Sequence, residues 1–130
     1  MREILFRGKT DKGEWVQGDL LHPDIYGNGY SIEDFTKEKN NCFDVIPETI
    51  GQYTGLTDKN GTKIFEGDIV KGNEDIFNED IIFTVIFDEY CRYMIISNYG
   101  HYLLARNHEN VEVIGNIHDN PELLKECEGK

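Results

Sequence analysis

The candidate metal ligands in the sequence are four histidines and the oxygen-bearing side chains of one short turn, Asp58-Lys59-Asn60. The segment Asp58-Lys59-Asn60 resembles the start of a calcium-binding loop, because oxygen-bearing side chains come at its first and third positions. Such a loop also needs glycine at its sixth position and a bidentate acid at its twelfth, where this chain has Lys63 and Ile69. The histidines show neither HxH nor HExxH spacing, and they are His22, His101, His108 and His118. The sequence therefore predicts no metal ion and no cofactor.

Three cysteines are the candidate nucleophiles. Cys91 could pair with His101 or His118, but it lies in a predicted turn or strand with no nucleophile signature around it. We interpret it as a small, partly buried structural thiol. Cys42 and Cys127 form no CxxC pair, so neither a disulfide framework nor a zinc site is indicated. Because the phosphate-binding motifs GxxxxGKS/T and GxGxxG are absent as well, we expect no enzymatic activity.

A cluster of acids between two predicted strands is the candidate interaction surface. Like charges this close extend a segment and repel phosphate, which is typical of a solvated loop. Acids spaced like phosphates on a rigid sheet could instead occupy the basic cleft of a DNA-binding protein. The four residues are Glu74, Asp75, Glu79 and Asp80.

The net charge of −12 comes from 25 acidic and 13 basic residues. Binding nucleic acid or an anionic membrane needs positive charge, and the sequence contains no basic run. We therefore expect no direct nucleic-acid or membrane contact, and a basic protein partner is favoured. The apolar stretches are too short for a bilayer span, and the N-terminus lacks the apolar core of a signal peptide. These features predict a reduced, soluble protein of the cytoplasm.

Two similar segments, TDKGEWVQGDLL and TDKNGTKIFEGDIV, suggest a repeated element. Each places a turn sequence between apolar stretches rich in β-branched and aromatic residues, which predicts a β-hairpin. The turn before Gly13 is one residue shorter than the turn before Gly61, which suggests different turn lengths on one plan. The pairs Gly18-Asp19 and Gly67-Asp68 interrupt the second strands, so we predict a bulge or bend with the aspartate capping a freed amide.

The remaining sequence predicts further strands and one helix. Residues 22–47 read as an irregular segment whose aromatics fold over the strands and in which GYSI is a candidate short strand. The stretches IIFTVIFDEY, RYMIISNYGHYLLA and NVEVIGNIH each read as one strand. Asn120-Pro121-Glu122 is typical of a helix start. The predicted fold is all-β, a small barrel-like domain of bent β-hairpins with a short C-terminal helix, forming a single domain over residues 1–130.

Three blocks of the sequence carry a resemblance to a known family. The blocks REILFRGKTDKGEWVQGDLL, VIPETIGQYTGLTDKNGTKIFEGDIV and VIGNIHDNPELL, in that order, resemble the YopX-like family of phage and prophage proteins. The resemblance implies an all-β domain and a phage-derived protein produced in a bacterial cytoplasm. It supplies no catalytic residues.

Three hypotheses about function follow. The favoured one is a non-enzymatic phage accessory protein that binds a basic protein partner through an acidic surface and is itself a homo-oligomer. The second is a DNA-mimic inhibitor of a host DNA-binding protein. The third is a small-molecule binder or enzyme with a pocket under residues 22–47.

Overall fold

The structure is a computed structural model, and it describes residues 3–27, 29–39, 41–72, 77, 80–98 and 100–124. The chain divides into two compact units, Met1–Tyr53 and Thr54–Lys130, whose boundary falls inside the strand Gly51–Thr57. The single domain expected over residues 1–130 stays a prediction.

Four short antiparallel strands and the start of a fifth build the first unit. They are β1 (Phe6–Lys9), β2 (Trp15–Leu21), β3 (Ser31–Glu33), β4 (Cys42–Asp44) and β5 (Gly51–Thr57), and their order in the sheet is β4-β3-β2-β1-β5. A short 3-10 helix, Pro47–Thr49, leads into β5. The buried core of this unit is small and consists of Val16, Ile32 and Val45.

A five-stranded antiparallel sheet dominates the second unit. After the end of β5, the strands are β6 (Lys63–Phe65), β7 (Asp68–Gly72), β8 (Ile81–Phe87), β9 (Tyr93–Ser97), β10 (Gly100–Leu103) and β11 (Val111–Asn116). Their order in the five-stranded sheet is β10-β9-β8-β7-β11. One helical turn, α1 (Leu104–Asn107), and a 3-10 helix, His108–Asn110, connect β10 to β11. Residues 122–124 are helical.

Strand β8 shows how the sequence builds this sheet. Ile81, Phe83 and Val85 alternate along the strand and are buried on one face, whereas Ile82 and Thr84 between them lie on the opposite face. Burying each large apolar side chain contributes about 1.5–3 kcal/mol, so this alternation fixes which face of the sheet covers the core.

The all-β class predicted from the sequence is confirmed. In the described ranges the strands form antiparallel sheets with edge strands, and neither strand order closes on itself. The predicted helix start at Asn120-Pro121 is also confirmed, because residues 122–124 are helical and Leu123 N–H donates to the carbonyl of Asn120 at 3.1 Å. Within the part of the chain that is described, no helix has the length and apolar character to cross a bilayer.

The two predicted hairpins are present, but the prediction of different turn lengths is wrong. In the first turn Thr10 N–H donates to the carbonyl of Glu14 at 2.8 Å, and in the second Asp58 N–H donates to the carbonyl of Thr62 at 2.8 Å. Both turns therefore span five residues with a left-handed glycine in fourth place, at φ +87° and +83°. Thr10 and Asp58 therefore occupy equivalent positions in the two turns. The repeated letters TDK had instead matched Thr10 with Thr57, one position earlier.

The two Gly-Asp pairs have different structural roles. Gly67 lies between β6 and β7 with φ +86°, and the Asp68 carboxylate accepts the N–H of Phe65 at 2.8 Å, so the predicted bend and cap are confirmed there. Gly18 instead lies inside the continuous strand β2, where a Cβ atom would collide with the carbonyl oxygen of Glu33. Gly18 thus permits a close approach of β3, and the bulge predicted there is wrong.

Two further expectations are corrected by the strand boundaries. The segment 22–47 contains β3, which overlaps the candidate strand GYSI, and also β4, which was not predicted. Tyr30 and Phe43 pack against the first core, while Tyr26 and Phe35 are exposed. The stretch RYMIISNYGHYLLA forms β9 and β10, which pair in a hairpin with Gly100 opposite Ser97. Ser97, Asn98 and Gly100 at this turn are residue types that favour turns, so the sequence held a local signal that the single-strand interpretation overlooked.

The carboxylate of Asp58 joins the β5–β6 turn to strand β11. Its Oδ1 accepts the N–H groups of Asn60 at 2.8 Å and Thr62 at 2.9 Å, and its Oδ2 accepts the N–H of Val113 at 2.8 Å. The side chain is only 4% exposed. A second hydrogen bond links the same turn to β11: the Lys59 N–H donates to the carbonyl of Val111 at 3.1 Å. The turn therefore covers an edge of the five-stranded sheet.

Replacement of Asp58 should lower the stability of the protein. In Asp58→Asn one acceptor oxygen becomes an NH2 group facing the N–H of Val113, so a buried donor loses its partner. We expect the free energy of unfolding in urea to fall by about 1–3 kcal/mol. Asp88→Asn, which alters the equivalent residue of an exposed turn, is the matched control and should cost less. Equal losses in the two variants would contradict the role assigned to the link with β11.

Substitution of Gly67 tests the left-handed bend. Gly67→Val should lower the free energy of unfolding by about 1–3 kcal/mol, because a β-branched residue is strained at positive φ. Gly29→Val is the control: Gly29 has an ordinary φ and open space around it, so the change should stay within about 0.5 kcal/mol. Unchanged melting of Gly67→Val would show that the bend does not require glycine.

Candidate functional site

The structure describes one member of the acidic cluster predicted from the sequence. Asp80 is exposed, and its carboxylate lies 3.6 Å from the Nζ atom of Lys71, so a neighbouring cation partly balances its charge. Glu74, Asp75 and Glu79 lie outside the described residues.

The histidines lie in separate surroundings. The His22 ring packs against Tyr30 with centroids 5.6 Å apart, and Nδ1 of His108 lies 2.7 Å from the carbonyl oxygen of Thr57. Among the residues that the structure describes, no group of three His, Cys, Asp or Glu side chains could hold a metal ion.

The exposure of Cys91 differs from the interpretation of the sequence. Cys91 was expected to be partly buried, yet it is an exposed free thiol. It occupies the fourth position of the β8–β9 turn at φ +62°, the position that holds glycine in the other two hairpins. Cys42 is also exposed, on strand β4, and Cys127 lies outside the described residues.

The end of the β8–β9 hairpin presents a group of aromatic side chains. Phe87 and Tyr93 pair across the strands, with ring centroids 4.9 Å apart. The Arg92 guanidinium lies 5.1 Å from the centre of the Tyr90 ring. Phe87 is 47% exposed and Tyr90 69% exposed, so large apolar surface faces solvent. We call Phe87, Tyr90, Arg92 and Tyr93 the aromatic tip.

Asp88 holds the turn that carries the aromatic tip. Its Oδ1 accepts the N–H of Tyr90 at 3.0 Å and of Arg92 at 2.9 Å, as Asp58 does in the earlier turn. Its Oδ2 accepts Nε of Arg92 at 3.1 Å and Nη2 at 2.9 Å, which is a bidentate ion pair. Desolvation by itself raises the pKa of Asp88, but these N–H groups and the Arg92 charge outweigh it and hold the pKa below its usual value.

The arrangement of the tip is suited to binding another protein. Tyr and Arg are enriched among the residues that dominate binding energy at protein interfaces, and exposed aromatic area gains most from desolvation. Because Asp88 already fixes the turn and the Arg92 head group, less conformational entropy remains to be lost on binding.

A half-open cleft lies on the face of the five-stranded sheet opposite the core. Its volume is about 300 Å³. The register places Thr84 of β8, Ile96 of β9 and His101 of β10 side by side on that face. The apolar lining residues are Ile82, Ile96 and Leu124, and the polar ones are Thr84, Ser97, Asn98 and His101. None comes from residues 22–47, the segment under which the sequence analysis placed a pocket. We call this feature the outer-face cleft.

Sequence reasoning missed both features, although one left a signal. Asp88 is followed four residues later by Arg92, and aromatic residues at 87, 90 and 93 flank or occupy that interval. Comparison with residues 58–62 could have identified the same turn, with an aspartate in first place. The outer-face cleft depends on strand register and on the position of Leu124, which no local pattern encodes.

Comparison with known proteins identifies relatives of this chain. A family model described as YopX protein matches residues 5–125. Among solved structures, the chain is similar to protein EF1440 from Enterococcus faecalis, with 22% sequence identity and a TM-score of 0.56. That likeness covers 95% of this chain and 99% of the other, and at this identity it concerns the fold alone. A search of curated proteins found no match.

Acidification should loosen the aromatic tip. Because the folded-state pKa of Asp88 is depressed, its stabilising contribution is present above the unfolded value near 4 and is lost as the pH falls through the lower folded value. We expect the NMR amide signals of Tyr90 and Arg92 to be constant between about pH 7 and 5 and to shift below about pH 4. In Asp88→Asn the low-pH shift should vanish, and its persistence would assign the effect to another acid.

Proposed function

This chain belongs to the YopX family, and we propose that it is a protein-binding module whose principal contact is the aromatic tip. The observation that carries this proposal is the exposure of Phe87 and Tyr90 on a turn held by Asp88. Phe83 on the neighbouring part of the same strand is fully buried, and Tyr102 of this unit is less exposed than either tip residue.

The energetics of the tip favour its burial against a partner. Covering Phe87 and Tyr90 would remove apolar surface from water at roughly 25 cal/mol for each Å². Truncation of an aromatic residue that dominates an interface commonly costs about 2–4 kcal/mol. The tip is also ordered before binding, since its backbone ladder continues to the pair Phe87–Tyr93.

The charge of the chain indicates the chemistry of the partner. A net charge of −12 and an isoelectric point near 4.6 favour a partner whose contact surface is basic around an apolar centre. Lys71 and Arg92 lie beside acids, which reduces the positive field that nucleic acid would need. We therefore propose a basic protein as the partner and no direct binding of nucleic acid.

The proposed setting is that of a phage- or prophage-derived accessory protein in a bacterial cytoplasm. The family resemblance supports this setting, and the proposed activity requires no catalytic step. Self-association into a homo-oligomer is a separate part of the proposal. Two copies with a charge of −12 each repel one another, so such an oligomer would need contacts that place apolar rather than acidic surface together.

The proposed contact can be tested with matched variants of the full chain. The biotinylated wild type, Tyr90→Ala and Tyr26→Ala are each incubated with bacterial lysate, and bound proteins are quantified by mass spectrometry. Tyr26 is the control, since it is an exposed aromatic in the first unit. We expect a basic protein that wild type and Tyr26→Ala retain and Tyr90→Ala loses.

The recovered protein should then be purified and its Kd measured. Tyr90→Ala should weaken binding by roughly 30- to 1000-fold at unchanged Tm, which corresponds to the loss of about 2–4 kcal/mol. Raising the salt concentration should weaken the wild-type complex through the charge contribution. Equal retention of every bound protein by Tyr90→Ala and wild type would overturn the proposal. Sedimentation of the wild type alone measures self-association independently.

A further inference from the structure

We propose that the outer-face cleft binds a small uncharged ligand with an apolar body and one or two hydrogen-bonding groups, of the aryl amide class. This inference is independent of the protein-binding role, because the cleft contains no residue of the aromatic tip. It concerns side chains of β8, β9 and β10 together with Asn98 and Leu124.

The lining of the cleft provides an apolar floor. Ile82 and Ile96 lie on the sheet face opposite the core, and both are half-buried rather than covered. Leu124, in the helical segment 122–124, forms a third apolar contact. Branched aliphatic side chains in a concave surface favour a flat apolar group, which can contact all three at once.

The polar groups around this floor carry no fixed charge. Thr84 contributes a hydroxyl group, Asn98 an amide and His101 an imidazole, and no Lys, Arg, Asp or Glu is among the lining residues that the structure describes. A charged ligand would lose hydration in the cleft without gaining an ion pair. An amide offers both a donor and an acceptor to these groups and loses less on desolvation.

The size of the cleft sets the size of the ligand. A volume of about 300 Å³ is at the lower end of the range for ligand sites, which suits one or two fused rings with a small substituent. Such a ligand has on the order of ten non-hydrogen atoms, and fragments of that size bind with Kd values of roughly millimolar order.

Three probes of almost equal shape test the chemistry directly: benzamide, benzoate and benzamidinium. Each is titrated into the 15N-labelled full chain and followed by amide chemical shifts. We expect benzamide to shift the signals of Thr84, Ile96 and His101 with a Kd of roughly 1–10 mM. Benzoate and benzamidinium should bind this site at least about tenfold more weakly. Tighter binding of benzamidinium would show that the net negative charge of the protein, rather than the uncharged lining of the cleft, attracts the probe. That result would overturn the proposal.

Variants of the lining residues provide the controls. Ile96→Phe should fill the cleft and abolish the benzamide shifts. Ile86→Phe, on the neighbouring strand β8, makes the same kind of change on the same sheet face but outside the lining, and it should leave binding within twofold. Thr84→Val should weaken benzamide binding about three- to tenfold.

Tyr90→Ala should bind benzamide as the wild type does, so failure of the tip proposal and failure of the cleft proposal are distinguishable. Absence of benzamide shifts up to 20 mM, or equal effects of Ile96→Phe and Ile86→Phe, would refute the assignment.

Discussion

The buried carboxylate of Asp58 is the interaction on which the second unit depends. It accepts three backbone N–H groups, two from its own turn and one from Val113 of β11. With the Lys59 contact to Val111, it covers backbone groups at the edge of the sheet that would otherwise be open to another chain. Val111 and Val113 then pack with the core that orders β7 and β8. The aromatic tip lies on the β8–β9 hairpin, and the outer-face cleft takes part of its lining from the same two strands.

The same five-residue turn occurs three times among the residues that the structure describes, and the residue in first place decides what it does. Thr10 supplies one hydroxyl oxygen, which accepts the N–H of Glu14 at 3.3 Å and closes the turn locally. Asp58 has a second oxygen and uses it to hold another strand. Asp88 uses its second oxygen to hold the guanidinium of Arg92, which in turn lies over Tyr90. The same type of turn thus closes one hairpin, attaches a second hairpin to β11 and holds the exposed side chains of a third.

The features that the sequence predicted correctly are those set by residues close along the chain. The hairpin turns, the left-handed Gly67 with its Asp68 cap, the helix start at Asn120 and the all-β class belong to this group. The turn between β9 and β10 was overlooked although its signal is local. Two other features were missed because a distant residue decides. Gly18 is required by the carbonyl of Glu33 on another strand, and the outer-face cleft requires Leu124 to approach β8. The aromatic tip is an intermediate case, because its turn is local while its exposure depends on the whole sheet.

Both proposed sites include residues of the β8–β9 strand pair, and this geometry favours independent action. The cleft contacts Ile82 and Thr84 near the start of β8, whereas the tip begins at Phe87. The three-residue step from Thr84, the nearer cleft residue, to Phe87 corresponds to roughly 10 Å of extended strand. Between them, Val85 and Ile95 are buried in a close-packed core, which resists small displacements. Coupling between sites requires an element with two alternative arrangements, and a strand pair held on one face by such a core does not provide one. A ligand in the cleft should therefore leave the tip geometry unchanged, and the two binding free energies should add.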